Sequence, residues 1–272
     1  MAVIAINQQI GSRGVELGRL VAERLAYRFL GRDDLVSEAS RVYNVDPSHF
    51  LIIDERQPSF WERSKAETER LLSFLRSVLL REMAADQVVY VGSSGAHLLP
   101  ECGCGLRVRL VGTFKGRVER VIADEGLSRA AAEKRVREHD REVRARAQAV
   151  IGVDLDDPAF YHLVVNTSMV PMEAFAEALK ACTARLDSHH AEGFQKLRDA
   201  ALAAQVHAAL LAHPKFGSAQ VSVQCARGLV RLNGPGLVAP WSELAERVAR
   251  QIDGVREVRV DSEEPPMPYR SE

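Results

Sequence analysis

Residues 2–27 constrain the fold most, because the hydrophobic period of the chain changes there across a short turn that contains glycines. Residues 2–6 are apolar and mostly β-branched, which is typical of a central parallel strand buried on both faces. From Val15 onward, apolar residues recur every three or four positions, which predicts an amphipathic helix. A helix that starts directly after a strand and a glycine turn presents unpaired backbone N–H groups at its positive dipole end. The stretch therefore predicts an anion site.

The turn departs from the full phosphate-binding loop, G-x-x-x-x-G-K-[ST], in which the lysine reaches the outer phosphates and the hydroxyl binds magnesium. Val15 and Glu16 follow the second glycine, where that lysine and hydroxyl would stand, and Arg13 is the only cation nearby. A carboxylate at Glu16 repels a triphosphate unless magnesium lies between them. The candidate phosphate-binding residues are Gly11, Ser12, Arg13, Gly14, Val15 and Glu16. The alternative is a tight structural turn that binds no ligand.

Length and composition limit the class of protein. A chain of 272 residues is long enough for one sizeable α/β domain and a second small one. The apolar fraction of 46% is ordinary for a globular protein, and the net charge of -1 argues against a nucleic-acid partner for the whole chain. No apolar run approaches the ~20 residues of a membrane span, and the first strand begins almost at Met1. We therefore expect a cytoplasmic protein with no transmembrane segment and no signal peptide.

Cysteine and histidine residues give little indication of a metal. The four cysteines are too few and too scattered for a disulfide framework, and Cys102-Gly-Cys104 is not a usual zinc spacing. We therefore expect no metal bound by protein side chains alone. His97 either contributes to a pocket or is a packed structural residue, and the second interpretation is favoured.

Short apolar strands alternate with helices through the first two thirds of the chain. After the opening strand, further strands are predicted at 88–91, 107–111 and 161–165. Helices are predicted at 33–43, 61–83, 115–124, 129–149 and 172–186, and residues 46–60 are predicted to form an irregular cap. This alternation predicts a parallel sheet with helices on both faces, with ligands at the carboxyl ends of its strands.

A second series of predicted helices and strands begins in the last third of the chain. Residues 187–196 are interpreted as a linker, because residues 187–192 carry no hydrophobic pattern. Beyond it, a small two-layer α/β domain is predicted over 197–262, with helices at 197–211 and 241–252 and strands at 219–224, 229–232 and 255–260. The tail at 263–272 is expected to be disordered.

One region is strongly basic. Residues 107–146 contain twelve Lys or Arg and seven Asp or Glu, an excess of five positive charges. Arg137, Arg141 and Arg144 share one face of the predicted helix. They form either a solvated surface with i,i+4 ion pairs such as Glu133–Arg137, or an arginine clamp on phosphate oxygens. The clamp would suit phosphoryl transfer, which depends mainly on charge stabilisation.

Three separated stretches of the first 186 residues resemble the cytidylate kinase-like family of P-loop proteins. They are IAINQQIGSRGVELGRLVAERLAYRFLGRDDL, VVYVGSSGAHLL and HDREVRARAQAVIGVDLDDPAFYHLVVNT. The resemblance implies a three-layer P-loop domain over 1–186, with ATP and Mg²⁺ as cofactors at Gly11 to Gly14. It also implies a nucleoside monophosphate substrate under a cap at 46–69 and a lid at 128–152 whose arginines Arg137, Arg141 and Arg144 act in catalysis with Arg13.

The last domain resembles a BON domain. The motifs are VSVQCARGLVRLNGPG and AERVARQIDGVREVRV. Because BON domains are associated with attachment, this resemblance implies a protein partner or a phospholipid surface for residues 197–262.

The chain departs from the kinase pattern at three cations. The loop lacks its lysine, the turn after the second strand is Gly92-Ser93-Ser94-Gly95 where similar proteins have VGRG, and Val143 stands where the lid motif D-x-x-R places its arginine after Asp140. Each lost phosphoryl contact costs about 3–4 kcal/mol of transition-state stabilisation. Two hypotheses follow: a kinase that phosphorylates a nucleoside monophosphate such as CMP, or a weakly active or inactive nucleotide sensor whose BON-like domain docks a partner or membrane surface.

Overall fold

The computed structural model describes residues 2–50, 65–85, 87–92, 95–186, 190–217, 220–235 and 237–261. These residues form two compact units. One contains the described residues of 1–62 and 85–194, and the other contains those of 63–84 and 195–272. Most of the predicted cap and the whole predicted tail at 263–272 lie outside the described residues.

Strands and helices alternate along the described chain. The strands are β1 (Val3–Gln8), β2 (Arg28–Leu30), β3 (Val88–Val91), β4 (Gly105–Val111), β5 (Leu163–Asn166), β6 (Ser222–Ala226), β7 (Leu229–Asn233) and β8 (Glu257–Asp261). The helices are α1 (Gly14–Leu25), α2 (Arg32–Tyr43), α3 (Pro47–Phe50), α4 (Lys65–Ala84), α5 (Gly95–Leu98), α6 (Phe114–Glu125), α7 (Arg129–Ile151), α8 (Met172–Arg185), α9 (His190–Ala212) and α10 (Trp241–Arg250).

The first unit is built on a five-stranded parallel sheet in the order β2-β3-β1-β4-β5. On one face, Ile4 and Ile6 of β1 join a core cluster with Leu17 of α1 and Leu179 of α8. The alternate residues of β1 are also fully buried, so the central strand is covered on both faces. The predicted α/β class, a three-layer parallel sheet with helices on both faces, is confirmed.

The structure corrects three details of the predicted elements. The edge strand β2 was not predicted, because three residues are too few to show a period. The predicted strand at 161–165 begins only at Leu163, since a 3-10 helix precedes it at Pro158–Phe160. Residues 190–196, predicted as part of the linker, are helical in α9, where Phe194 and Leu197 are buried at helical spacing. Residues 187–189 lie outside the described part of the chain.

Helices α6 and α7 pack against each other, and capping residues in the sequence mark where each helix begins and ends. The Thr113 hydroxyl accepts a hydrogen bond from the Gly116 amide at 3.2 Å, and α6 ends at Gly126 in the left-handed region. Ser128 caps α7 through the Ala131 amide, as the sequence predicts. The apolar side chains that join the two helices are Val118, Val121, Ala132 and Val136.

A buried ion pair also joins α6 to α7. The Arg117 guanidinium donates two hydrogen bonds to the Asp140 carboxylate, at 2.9 and 2.7 Å, and the two side chains are only 6% and 14% exposed. Two parallel hydrogen bonds between a guanidinium and a carboxylate fix the geometry of the pair. Because little water reaches the pair, each charge needs the other to compensate for its lost hydration.

The second unit contains the small sheet and the helix α4. β6 and β7 are antiparallel and β7 and β8 are parallel, and α9 and α10 contribute to their apolar core. The predicted two-layer α/β arrangement is confirmed. The grouping of α4 with this unit was not predicted from the sequence. Within the described residues, every helix is too short or too polar to cross a membrane.

We expect Asp140→Ala to destabilise the protein by about 3–5 kcal/mol, because it leaves the Arg117 charge buried and unpaired. Urea unfolding at neutral pH measures the change. The matched control is Asp124→Ala, which removes an acid that pairs with Arg120 and is 52% exposed. That change should lower the free energy of unfolding by no more than about 1 kcal/mol. Equal effects of the two substitutions would contradict the assignment.

Candidate functional site

The turn between β1 and α1 is held by close backbone approaches. Gly11 has a φ of +73°, and a Cβ atom placed on it would lie 2.6 Å from the Arg117 carbonyl oxygen. A Cβ on Gly14 would overlap the Gln8 side chain. Ser12 is fully buried, and its hydroxyl donates to the Gln9 carbonyl oxygen at 2.7 Å. The turn is therefore tight and specified by its glycines, at the carboxyl end of the central strand.

The start of α1 suits an anion through its backbone. Arg13, the residue before the helix, lies in the left-handed region with a φ of +61° and makes no side-chain cap to the helix. The first-turn amides of a helix have no partners within the helix, and they form the positive end of its dipole. A phosphate group is a suitable acceptor for such amides.

The two charged side chains of the turn bind each other. Arg13 Nε donates to Glu16 Oε2 at 2.7 Å, and Arg120 Nη2 lies 3.3 Å from the same oxygen. The hydrogen bond to Glu16 raises the pKa of Arg13 above its usual range, and the hydrogen bond from Arg13 lowers the pKa of Glu16. Both side chains are about 40% exposed, so the pair is worth at most about 1 kcal/mol. A stronger anion can therefore displace Glu16 from Arg13.

A second charged cluster is centred on the interior strand β4. Arg109 of β4 is buried and donates hydrogen bonds to Asn7 Oδ1 and, at 2.9 Å, to Asp156 Oδ1. Arg144 of α7 donates to the other carboxylate oxygen of Asp156. Burial alone would raise the pKa of Asp156, but the hydrogen bonds and charges of Arg144 and Arg109 outweigh it and lower that pKa. Asp156 thus connects strand β4 to helix α7.

Arg109 and Arg144 line a narrow cleft beside the end of β1. The cleft volume is about 10 Å³, which is room for roughly one water molecule. The lining residues are Gln8, Gln9, Arg109, His139, Asp140, Val143, Arg144 and Leu155. In this conformation α7 and its ion pairs leave no space for a nucleotide in the cleft.

The predicted arginine face of α7 is divided in the structure. Arg144 lines the cleft and binds Asp156. The Arg137 guanidinium lies 4.6 Å from the centre of the Phe114 ring and 3.7 Å from Glu133, so the predicted i,i+4 contact is present. Arg141 is exposed. The structure therefore brings only Arg144 of these three into the cleft, and the catalytic roles of all three, like that of Arg13, stay predictions.

Sequence reasoning did not find the charge pairs of this site. Arg109, Arg117 and Asp156 hold the site together with Asp140, yet the sequence indicated only a basic region and named Asp140 only as the start of the lid motif. One signal was available: Arg107 and Arg109 alternate with apolar residues inside a strand predicted to be buried. A charge in such a strand needs a carboxylate partner, and this requirement points to a functional or structural cluster.

His97 packs among aromatic rings. Its ring stacks on Phe160 with centroids 4.0 Å apart and meets the Tyr161 ring edge-on. Neither ring nitrogen has a hydrogen-bond partner among the described residues. Burial, with the Arg109 and Arg107 charges, lowers the pKa of His97 to about 4. These contacts support the structural interpretation of this residue.

The turn fits phosphate better than it fits magnesium. The backbone amides in the first turn of α1 suit phosphate oxygens, whereas the missing Cβ atoms of Gly11 and Gly14 make room for the Arg117 carbonyl and the Gln8 side chain. The Ser12 hydroxyl is buried and bound to Gln9, and Glu16 is paired with Arg13. Among the described residues, no three His, Cys, Asp or Glu side chains are grouped as metal ligands. A magnesium ion here would depend on phosphate oxygens and water, as Mg²⁺ often does, with Glu16 as the nearest carboxylate to the turn.

We expect Gly11→Ala to destabilise the protein by about 2–4 kcal/mol, because the new methyl group meets the Arg117 carbonyl in addition to the strain of a positive φ. The control is Gly126→Ala, which has a φ of +67° but no heavy atom within 4 Å of the new Cβ. It should lose only about 1 kcal/mol. Urea unfolding measures both, and similar losses would contradict the close approach at Gly11.

Acid should destabilise the protein partly through His97. The folded pKa is about 4, below the ordinary value near 6.5, so the unfolded chain binds more protons between these values. Stability from the neutral, stacked ring is complete above pH ~6.5 and is lost as the pH falls toward 4. His97→Phe keeps an aromatic ring against Phe160, so the free energy of unfolding should fall less steeply over that pH range. An unchanged slope would contradict this prediction.

Comparison with known proteins agrees with the fold. Residues 3–169 match the sequence model of the cytidylate kinase-like family, and residues 198–262 match that of the BON domain. Cytidylate kinase from Methanothermobacter thermautotrophicus is 23% identical over 172 residues, which are 63% of this chain and 99% of the relative. Cytidylate kinase from Methanopyrus kandleri is 29% identical over 177 residues, 65% of this chain and 82% of the relative.

A solved structure has the same fold at low identity. An uncharacterized protein from Eubacterium ventriosum superposes with a TM-score of 0.51 and 13% identity, over 68% of this chain and 99% of that protein. At this identity the likeness concerns the fold alone. Since the family match covers more than half of the chain, the protein belongs to the cytidylate kinase-like family and carries a C-terminal BON domain.

Proposed function

We propose that the first domain binds ATP at the turn from Gly11 to Gly14 and transfers its terminal phosphoryl group to a nucleoside monophosphate, with CMP as the first acceptor to test. The turn itself carries the proposal, because its glycines bring the backbone amides of a helix N-terminus to the carboxyl end of the central strand. Membership of the cytidylate kinase-like family supports a nucleotide kinase-like activity. We place this domain at 1–186 and the BON domain at 197–262.

In this proposal each residue of the turn has a defined task. The amides of Gly11 and of Arg13 to Glu16, including that of Val15, donate to phosphate oxygens, whereas the Ser12 amide donates to the Gln9 carbonyl at 3.1 Å and holds the turn. Arg13 replaces the missing lysine, and it must leave Glu16 to do so. Arg13 supplies a planar, permanently charged fork, which suits two phosphate oxygens at once. Magnesium, if bound with ATP, would neutralise phosphate charge.

The lid residues must also change partners. Arg144 is held by Asp156 beside the end of β1, and Arg137 and Arg141 lie on the same helix outside the cleft. For the three to act on a phosphoryl group, α7 has to move and the Arg144–Asp156 ion pair has to open. Arg109 then remains bound to Asn7 and Asp156 and supports the floor of the site.

A second candidate function is nucleotide sensing with little or no turnover. The paired state of the arginines supports it, since Arg13 and Arg144 are each neutralised by a carboxylate of the same chain. In that case, nucleotide binding would signal to the BON domain, which we propose attaches to a protein partner or to a phospholipid surface. Nucleic acid is not expected as a partner.

Two experiments distinguish these functions. A coupled assay measures ADP release over a panel of nucleoside monophosphates, and calorimetry measures ATP binding in the presence and absence of magnesium. Turnover that Arg13→Ala reduces by about 10²-fold or more supports the kinase, because one lost contact to the phosphoryl group has this effect. ATP binding without turnover supports the sensor. No ATP binding by the folded protein would overturn both.

The Glu16 carboxylate should weaken ATP binding, because it competes with phosphate for Arg13. We expect Glu16→Gln to tighten ATP binding by roughly 2- to 10-fold, equal to up to ~1.4 kcal/mol. The matched control is Glu177→Gln, which removes a similarly exposed carboxylate bound to Arg24. Calorimetry gives both affinities. Weaker binding by Glu16→Gln would assign the carboxylate a supporting role, for example beside magnesium, and contradict the competition.

A further inference from the structure

Two thiols meet in the short segment that leads into β4. The Sγ atoms of Cys102 and Cys104 lie 2.9 Å apart, and the two residues are 6% and 0% exposed. A disulfide bond is about 2.05 Å long, so the sulfurs need to approach by only ~0.9 Å to form one. Both cysteines are reduced in this structure.

The backbone between the thiols is already bent. Gly103 has a φ of +72°, with open space where a side chain would point. On either side the turn is anchored, because the Cys102 amide donates to the Pro100 carbonyl at 2.9 Å and the Cys104 carbonyl accepts from the Val3 amide at 3.1 Å. The two cysteines are thus held on one side of an anchored turn.

The environment of the sulfurs favours a thiolate at Cys102. The hydrogen bond from the Cys104 thiol, the amides of both cysteines and the Arg107 charge together outweigh burial and lower the pKa of Cys102 to about 6. A thiolate is the species that attacks disulfides, and Cys102 is also the more exposed of the two. Cys104 is then placed to act as the resolving thiol.

We propose that Cys102 and Cys104 form a reversible redox modification site, in which a small oxidised disulfide of the glutathione class converts the two thiols into an intramolecular disulfide within the turn.

The exchange takes place in two balanced steps. The Cys102 sulfur attacks one sulfur of the oxidised disulfide, which forms a mixed disulfide and releases one small thiol. The Cys104 sulfur then attacks Cys102 Sγ, which forms the Cys102–Cys104 bond and releases the second small thiol. The protein loses two electrons and two protons, and the small disulfide gains them.

The first turn of α9, which belongs to the same unit, packs on the pair. A Cβ atom on Gly193 would lie 2.5 Å from the Cys102 carbonyl oxygen and 2.9 Å from Cys104 Cβ, so the backbone at Gly193 lies directly against the turn. The pair also lies at the amino end of β1, where Val3 is, and the phosphate-binding turn follows the opposite end of that strand. The site is therefore separate from the candidate nucleotide site.

In the test, the folded 272-residue chain is equilibrated with mixtures of reduced and oxidised glutathione at neutral pH. The samples are quenched with acid and alkylated under denaturing conditions, and the peptides are mapped by mass spectrometry. As oxidised glutathione increases, we expect the peptide with Cys102 and Cys104 to lose both alkyl groups in a single transition, which leaves it two hydrogen atoms lighter than the dithiol peptide. A Cys182→Ser/Cys225→Ser double variant should behave the same. In Cys104→Ser, glutathione should stay attached to Cys102, because the resolving thiol is gone.

Two results would overturn the proposal. One is that both thiols of the wild-type protein remain alkylated at every glutathione ratio. The other is that the disulfide forms only after the protein is unfolded in urea, which would show that the folded turn does not bring the thiols together. Both results are measured on the wild-type chain, so the test remains valid even if a variant fails to fold. Because the readout is covalent, it is independent of nucleotide binding.

Discussion

Arg117 connects the parts of the first unit on which the candidate site depends. Its carbonyl oxygen leaves no room for a side chain at Gly11, and its guanidinium is bound by the buried carboxylate of Asp140. One residue thus fixes the distance between the turn after β1 and helix α6, and the position of α7 on α6. A buried ion in this place is tolerated because its partner has matching geometry and little exposure to water.

The charges near the turn are balanced within the chain. Arg13 is paired with Glu16, and Asp156 accepts from both Arg109 and Arg144. The Arg13 pair is exposed and weak, whereas the Arg109 side chain is buried and is held by both Asn7 and Asp156. Under the proposed function, a nucleotide would recruit Arg13 easily and Arg144 only by moving α7. Nucleotide binding would then precede any closure needed for phosphoryl transfer.

Much of the fold was predictable because local signals agree with the tertiary structure. The strand β1, the glycine turn, α1 and the Ser128 cap of α7 are each specified by residues within a few positions. Prediction failed where local signals are short or ambiguous. The three residues of β2 carry no period, and the first turns of α9 read as polar chain because only Phe194 indicates a buried face. The grouping of α4 with the second unit has no local signal at all.

The sequence by itself determined the class of fold and the strand, glycine turn and helix at residues 2–27, because hydrophobic periods and glycine positions are local properties of the chain. Its motifs determined the family. Only the tertiary structure decided which charges meet. Asp140 and Arg117 are 23 residues apart, and Asp156 and Arg109 are 47 apart, so their pairing depends on how α7 and the following turn pack on the sheet. The same holds for Gly11: sequence suggests a turn, but the Arg117 carbonyl makes the glycine necessary.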